Sequence, residues 1–129
     1  MIPALKEIEV VTLFVSDFQK TRAFYQHVFG QPIVYQDDVS AVMKLGGLMI
    51  NILDRSQSPE LVAPKTVAGI GTGPSALLTI KVENVDTVCE ELRAHGVVLL
   101  NGPLNRPWGR RTATFEDPAG NVWEIAQEL

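Results

Sequence analysis

Cysteine is nearly absent. Cys89 is the only one, so no disulfide can form within the chain and a reducing compartment is expected. Histidine is almost as scarce: His27 and His95 are the only two, both late in predicted helices, where positive charge suits a helix C-terminus. No stretch approaches the roughly 18 consecutive apolar residues of a membrane-spanning helix. The first nine residues carry Lys6, Glu7 and Glu9, without the basic start and apolar run of a signal peptide. The reading is therefore a cytoplasmic protein with no membrane partner. There is no basic excess either: the formal net charge of −4 argues against nucleic acid, whose binders carry a basic patch.

What is present fits one small globular domain. The chain has 129 residues, 46% of them hydrophobic, enough to bury a core without disulfide or metal staples. Residues 8–15 are mostly β-branched or aromatic and read as a strand. Ser16 and Asp17 can cap a helix over 18–29, which Gly30 and Pro32 end. Short strands are predicted at 33–36, 40–45 and 48–53, with Gly46-Gly47 turning the last pair. Three prolines and three glycines then interrupt 54–75, which reads as a long linker that borders or covers something. Beyond it, strands are predicted at 76–82, 97–100, 110–116 and 122–127, with a helix from Asn84 or Val85 to His95. Cys89 falls on the apolar face of that helix and reads as a buried structural thiol. The glycine-rich run 69–73 lacks the Lys-Ser/Thr of a phosphate loop.

The second half replays the first. Strand, acidic helix start, helix, closing glycine and three strands recur in order. Val10 precedes Gly30 by 20 residues, and Leu77 precedes Gly96 by 19. The expected architecture is α+β: two βαβββ modules, about 5–53 and 76–129, joined by linker 54–75 in one domain over 1–129. Each module makes a curved sheet with a helix on one side, so two must pair, and their concave faces line a cleft suited to a small ligand.

Two segments carry a family resemblance. VTLFVSDFQKTRAFYQHVFG resembles the opening module of the vicinal-oxygen-chelate superfamily, and RPWGRRTATFEDPAGNVWEI its closing module. That superfamily holds glyoxalase I, extradiol dioxygenases, fosfomycin-resistance proteins and bleomycin-binding proteins. The resemblance covers essentially the whole chain and implies the glyoxalase/bleomycin resistance fold. It also implies homodimers whose clefts are completed across the interface. In metal-dependent members four inward side chains hold the ion, and those positions fall here on Val10, Asn51, Leu77 and Glu124. Only Glu124 matches the family pattern. Valine and leucine have no lone pairs and Asn51 offers one neutral amide oxygen, whereas a transition metal wants three or four N, O or S donors. No metal or other cofactor is therefore expected, and the pattern is nearest to metal-free, bleomycin-resistance-like members.

Other residues are candidates for the cleft. Strand parity groups Val10, Thr12 and Phe14 on one face or the other of the first strand. Tyr35, Met43, Met49 and Phe115 are candidate apolar lining, alongside Asn51. Trp108, between Pro107 and Gly109, either stacks on a planar ligand or packs the hairpin corner. Arg106, Arg110 and Arg111 form a basic cluster, but adjacent strand residues point opposite ways, so only one of Arg110 and Arg111 reaches the cleft. Arg110 is taken as the ligand-binding one. Glu124 calls for a cationic or donor partner, for which Lys81, Arg110 and Arg111 are candidates; it is either a general base or half of a structural salt bridge. Trp123 has the opposite parity and is expected to face a helix.

Three functions fit this reading. The first is metal-independent sequestration of a small molecule by stacking and burial. The second is a glyoxalase-like lyase or isomerase with Glu124 as general base. The third is a regulatory or structural domain with a vestigial cleft.

Overall fold

In the computed structural model, which describes residues 1–129, the β-branched run after Glu9 forms β1 (Val10–Val15). Asp17 turns the chain with a left-handed backbone (φ 45°). Its carboxylate accepts the Lys20 amide at 3.3 Å, satisfying one open N–H at the start of α1 (Phe18–Phe24). The helix expected to run on to residue 29 widens instead. Tyr25–Phe29 is a π-helical turn, closed by the Gly30 amide donating to the Tyr25 carbonyl at 3.1 Å. The Tyr25 ring lies with its centroid 5.3 Å from that of Phe24 and 5.1 Å from that of Phe29. β2 (Ile33–Gln36), β3 (Ser40–Leu45) and β4 (Leu48–Asp54) follow.

The chain separates into two compact units, Met1–Ala68 and Gly69–Leu129. In the first, the sheet order is β1-β4-β3-β2, with β1 and β4 parallel and the remaining pairs antiparallel. Register places Leu13, Ile52 and Ala41 in one row across the sheet, and Ile50 beside Met43 in the next. All five are buried, as are Phe18, Thr21 and Tyr25 of the helical segment packed on β4. Each large aliphatic or aromatic side chain so buried contributes about 1.5–3 kcal/mol.

The second unit contains β5 (Leu77–Lys81), α3 (Val85–Ala94), β6 (Leu99–Asn105), β7 (Arg110–Glu116) and β8 (Val122–Glu128). Its order, β5-β8-β7-β6 with β5 and β8 parallel, repeats the first unit strand for strand. The Asn84 side chain caps α3 by accepting the Thr87 amide at 3.0 Å, and Gln127 Oε1 accepts the Val85 amide at 2.9 Å. At the other end the Gly96 amide donates to the Arg93 carbonyl (2.9 Å) and the Val97 amide to that of Leu92 (3.0 Å), a Schellman closure. Val85, Cys89 and Leu92 are buried with Ala113, Phe115, Trp123 and Ile125.

Two further segments differ from the sequence-based expectation. The stretch read as a bare linker contains a 3₁₀ turn (Arg55–Gln57) and the short α2 (Ser58–Val62). Asp54 starts them by accepting the Ser56 amide at 2.9 Å, and Pro59 stands in the first turn of α2. β6, expected over 97–100, runs instead over Leu99–Asn105 and passes Gly102-Pro103 through register shifts between Leu99, Asn101 and Leu104. Gly102 (φ 82°) lies so near β7 that a Cβ there would stand 2.3 Å from the Thr112 carbonyl oxygen. No helix is long and apolar enough to cross a membrane.

Candidate functional site

A two-residue period gives each sheet a helix-packed face and a helix-free face. In the first unit the helix-free side of β1 carries Val10, Thr12 and Phe14. Val10 is in register with Met49, Thr12 with Asn51, and Asn51 in turn with Val42 of β3. The Asn51 Nδ2 donates to Thr12 Oγ1 over a long 3.5 Å, while its Oδ1 is buried without a partner. Tyr35 is in register with Val42 and 55% exposed, and its hydroxyl donates to Asp37 Oδ2 at 2.7 Å. Asp37 also accepts the amides of Val39 (2.9 Å) and Ser40 (2.8 Å). The Tyr35 hydroxyl foremost, and these amides, hold the Asp37 carboxyl down at about 2, and the same phenol–carboxylate bond pushes the Tyr35 hydroxyl up.

In the second unit Thr79, Glu124 and Thr114 form one row across β5, β8 and β7. Thr79 Oγ1 donates to Glu124 Oε1 at 3.0 Å. Thr114 is buried, and its hydroxyl has no partner. Thr79 stands to β5 as Thr12 stands to β1, so the duplication itself could have found it. In the sequence Glu124 alone of this row stands out.

The arginines divide by strand parity. Arg110 is in register with Glu128 on the Glu124 face, and donates to it through Nε (3.1 Å) and Nη2 (2.7 Å). Arg111 lies on the α3 side and clasps Asp86 through Nε (2.8 Å) and Nη2 (2.9 Å), holding that carboxyl below its usual range. Neither reaches Glu124. Lys81 shares the face of Thr79 but makes no ion pair.

Phe115 and Met43 do not belong with the candidate lining residues. Phe115 is in register with Trp123, and Met43 with Ile50; both are buried on the helix-packed faces, 2% and 0% exposed. A large apolar side chain suits a cleft and a core equally well, and strand parity sends both of these to the core. Trp108 stands out from the β6–β7 hairpin, 66% exposed. Pro107 fits the second position of the turn. The Gly109 amide donates to Arg106 (3.2 Å), and Gly109, at φ 86°, lets the Arg106 amide donate to the Arg110 carbonyl (2.6 Å). The Arg106 guanidinium lies 5.8 Å from the indole centroid and donates from Nε to Thr112 Oγ1 and from Nη2 to Asn101 Oδ1, both at 2.9 Å. Thr112 shares the Glu124 face, so Arg106 ties Trp108 to that face. The sequence showed Arg106 only as part of a basic cluster. A groove of about 550 Å³ beside α3 and β6, lined by Arg93, Val98 and Leu100 among others, contains none of the predicted site residues.

The donors do not fit a catalytic transition metal. Val10 and Leu77 are hydrocarbon, Asn51 supplies one amide oxygen, and Glu124 one carboxylate already bonded to Thr79. Nowhere do three His, Cys, Asp or Glu side chains gather in a way that could hold an ion.

Known proteins agree with the architecture. The chain is 34% identical to the uncharacterized protein YraH of Bacillus subtilis over 92% of its own length and 96% of that protein's. It is 23% identical to the metallothiol transferase FosB of Lysinibacillus sphaericus, covering 94% of this chain and 82% of that one. A glyoxalase/bleomycin resistance protein/dioxygenase from Nocardioides superposes with a TM-score of 0.85 at 23% identity, over 96% of this chain and 84% of the other. TnmS3, an antibiotic binding protein from Streptomyces sp. CB03234, superposes with a TM-score of 0.71 at 27% identity, over 98% of both. The sequence profile of one family matches residues 7–125, nearly the full length, and the chain belongs to that family, the Glyoxalase/Bleomycin resistance protein/Dioxygenase superfamily.

Proposed function

We propose that this chain is a cytoplasmic small-molecule binding protein that sequesters its ligand without a metal and makes or breaks no bond in it, acting as a homodimer. The observation that carries the reading is the chemistry of the family's metal-holding positions, two of which, Val10 and Leu77, offer no donor atom. The same side chains make helix-free faces suited to an apolar body, with Met49 in register with Val10 and Phe14 farther along the same face of β1. Trp108 offers an exposed indole for stacking. The resemblance to TnmS3, described as an antibiotic binding protein, supports the same reading.

The test begins with protein purified without added metal and analysed by plasma mass spectrometry. Planar aromatic compounds are then titrated in with the emission of Trp108 and Trp123 as the signal, before and after chelator treatment, and recovered for chemical analysis. The expected result is metal well below one equivalent, saturable quenching that chelation leaves intact, and unaltered compound. One equivalent of chelator-sensitive Ni, Zn, Mn or Fe would sink the proposal. So would turnover of a glutathione hemithioacetal that Glu124→Gln abolishes, which would favour a lyase or isomerase with Glu124 as base.

A further inference from the structure

Hydrogen-bond donors and acceptors do not balance around Trp108. Arg106 runs back along the β6–β7 hairpin, where Nε donates to Thr112 Oγ1 and Nη2 to Asn101 Oδ1, both at 2.9 Å. Thr112 is fully buried, so the guanidinium is anchored to a fixed point of the sheet. These bonds use two of its five N–H donors. Nη1 makes no hydrogen bond and is open to solvent. No carboxylate lies within ion-pair distance of Arg106: Glu128 is held by Arg110 and Asp86 by Arg111. Asn101 is exposed, and its one side-chain acceptor is spent on Arg106, so its amide N–H groups are what it offers outward. The Trp108 indole, 66% exposed with its centroid 5.8 Å from the guanidinium carbon, adds a third donor group and no acceptor.

All three side chains belong to the second unit and reach solvent on one hairpin. Together they present donors only, one of them a cation without a counter-ion, in a chain whose net charge is −4. An oxyanion is the complement of such a patch, because it accepts at every position and supplies the missing charge. An amine or an ammonium would meet donors with donors. The two bonds that hold Arg106 also lower the entropy lost when a ligand takes it, which separates it from a freely moving surface arginine. The indole beside it offers a flat apolar face to a ring. Resting on the binding reading above, we infer that the ligand is a planar aromatic acid, with its ring against Trp108 and its carboxylate accepting from Arg106 and Asn101.

Three probes of one shape test this on the full chain by isothermal titration calorimetry: 2-naphthoate, its neutral amide 2-naphthamide, and the cation 2-naphthylmethylammonium. The carboxylate should bind about tenfold more tightly than the amide, and the cation most weakly. Arg106→Gln should bring the carboxylate down to the level of the amide and leave the amide within about twofold, a split that general loss of structure would not produce. Asn101→Asp keeps the acceptor that holds Arg106 but replaces the amide N–H groups with a negative charge. It should weaken the carboxylate about tenfold and spare the amide, which keeps the inference testable if Arg106→Gln folds poorly. Raising ionic strength from about 0.05 M to about 0.5 M should weaken the carboxylate alone. Carboxylate and amide binding equally, the cation binding most tightly, or carboxylate affinity unchanged in both variants overturns the inference and leaves the binding function standing. Binding of none of the three removes both.

Discussion

Gly102→Ala isolates the tightest backbone approach in the second unit. A methyl group there meets the Thr112 carbonyl oxygen at 2.3 Å and Ala113 Cα at 2.8 Å, both main chain, so neither can swing aside. The residue also sits at φ 82°, where an L side chain costs about 1–2 kcal/mol. Overpacking against fixed atoms adds about 1–3 kcal/mol. Gly120→Ala is the matched control: φ is 89°, but nothing lies within 4 Å of its added Cβ, so it carries the conformational cost alone. Thermal denaturation followed by circular dichroism should show Gly102→Ala lowering Tm by on the order of 10 °C, and Gly120→Ala by roughly half of that or less. The effect should reach the candidate site, because β6 can then no longer lie against β7 where Thr112 takes the Arg106 hydrogen bond behind Trp108. Equal losses in the two variants would refute the contact argument and leave only backbone strain.

Asp37 predicts a pH dependence with a definite sign. Its folded pKa is depressed to about 2 from 3.8, so its contribution is fully present above the unfolded value and is lost as pH falls through that window. The Tm difference between the wild type and Asp37→Ala should therefore be flat above about pH 5 and shrink on acidification toward pH 2; a gap that grew instead would contradict the Tyr35–Asp37 assignment. Sedimentation velocity should give a single species of twice the chain mass at micromolar concentration. A monomer at all concentrations would remove the homodimer from the proposal.

The repeat makes most of the fold legible in the sequence. Helix starts, closing glycines and β-branched strands occur in the same order twice, and each is a local signal with a local cause. The segments that escaped depend on contacts that single residues do not announce. The strand expected over 97–100 runs on through Gly102-Pro103, and the sequence does not reveal that a neighbouring strand needs a residue without a Cβ there. The last turn of the first helix widens around the packing of Phe24, Tyr25 and Phe29, and nothing in the 3.6-residue period predicts that. α2 is too short to show a period at all.

The candidate site was legible in position more than in pairing. Parity and duplication pick out the row of Glu124, yet large apolar side chains such as Phe115 and Met43 suit a cleft and a core equally well, and these two lie in the core. The arginines show the same limit from the other side. Sequence supplies three cations near one carboxylate, and the natural inference is a salt bridge. The fold instead sends Arg111 to Asp86 on the helix side and Arg110 along its own face to Glu128. A carboxylate surrounded in sequence by basic residues is left in space with one threonine hydroxyl as its donor.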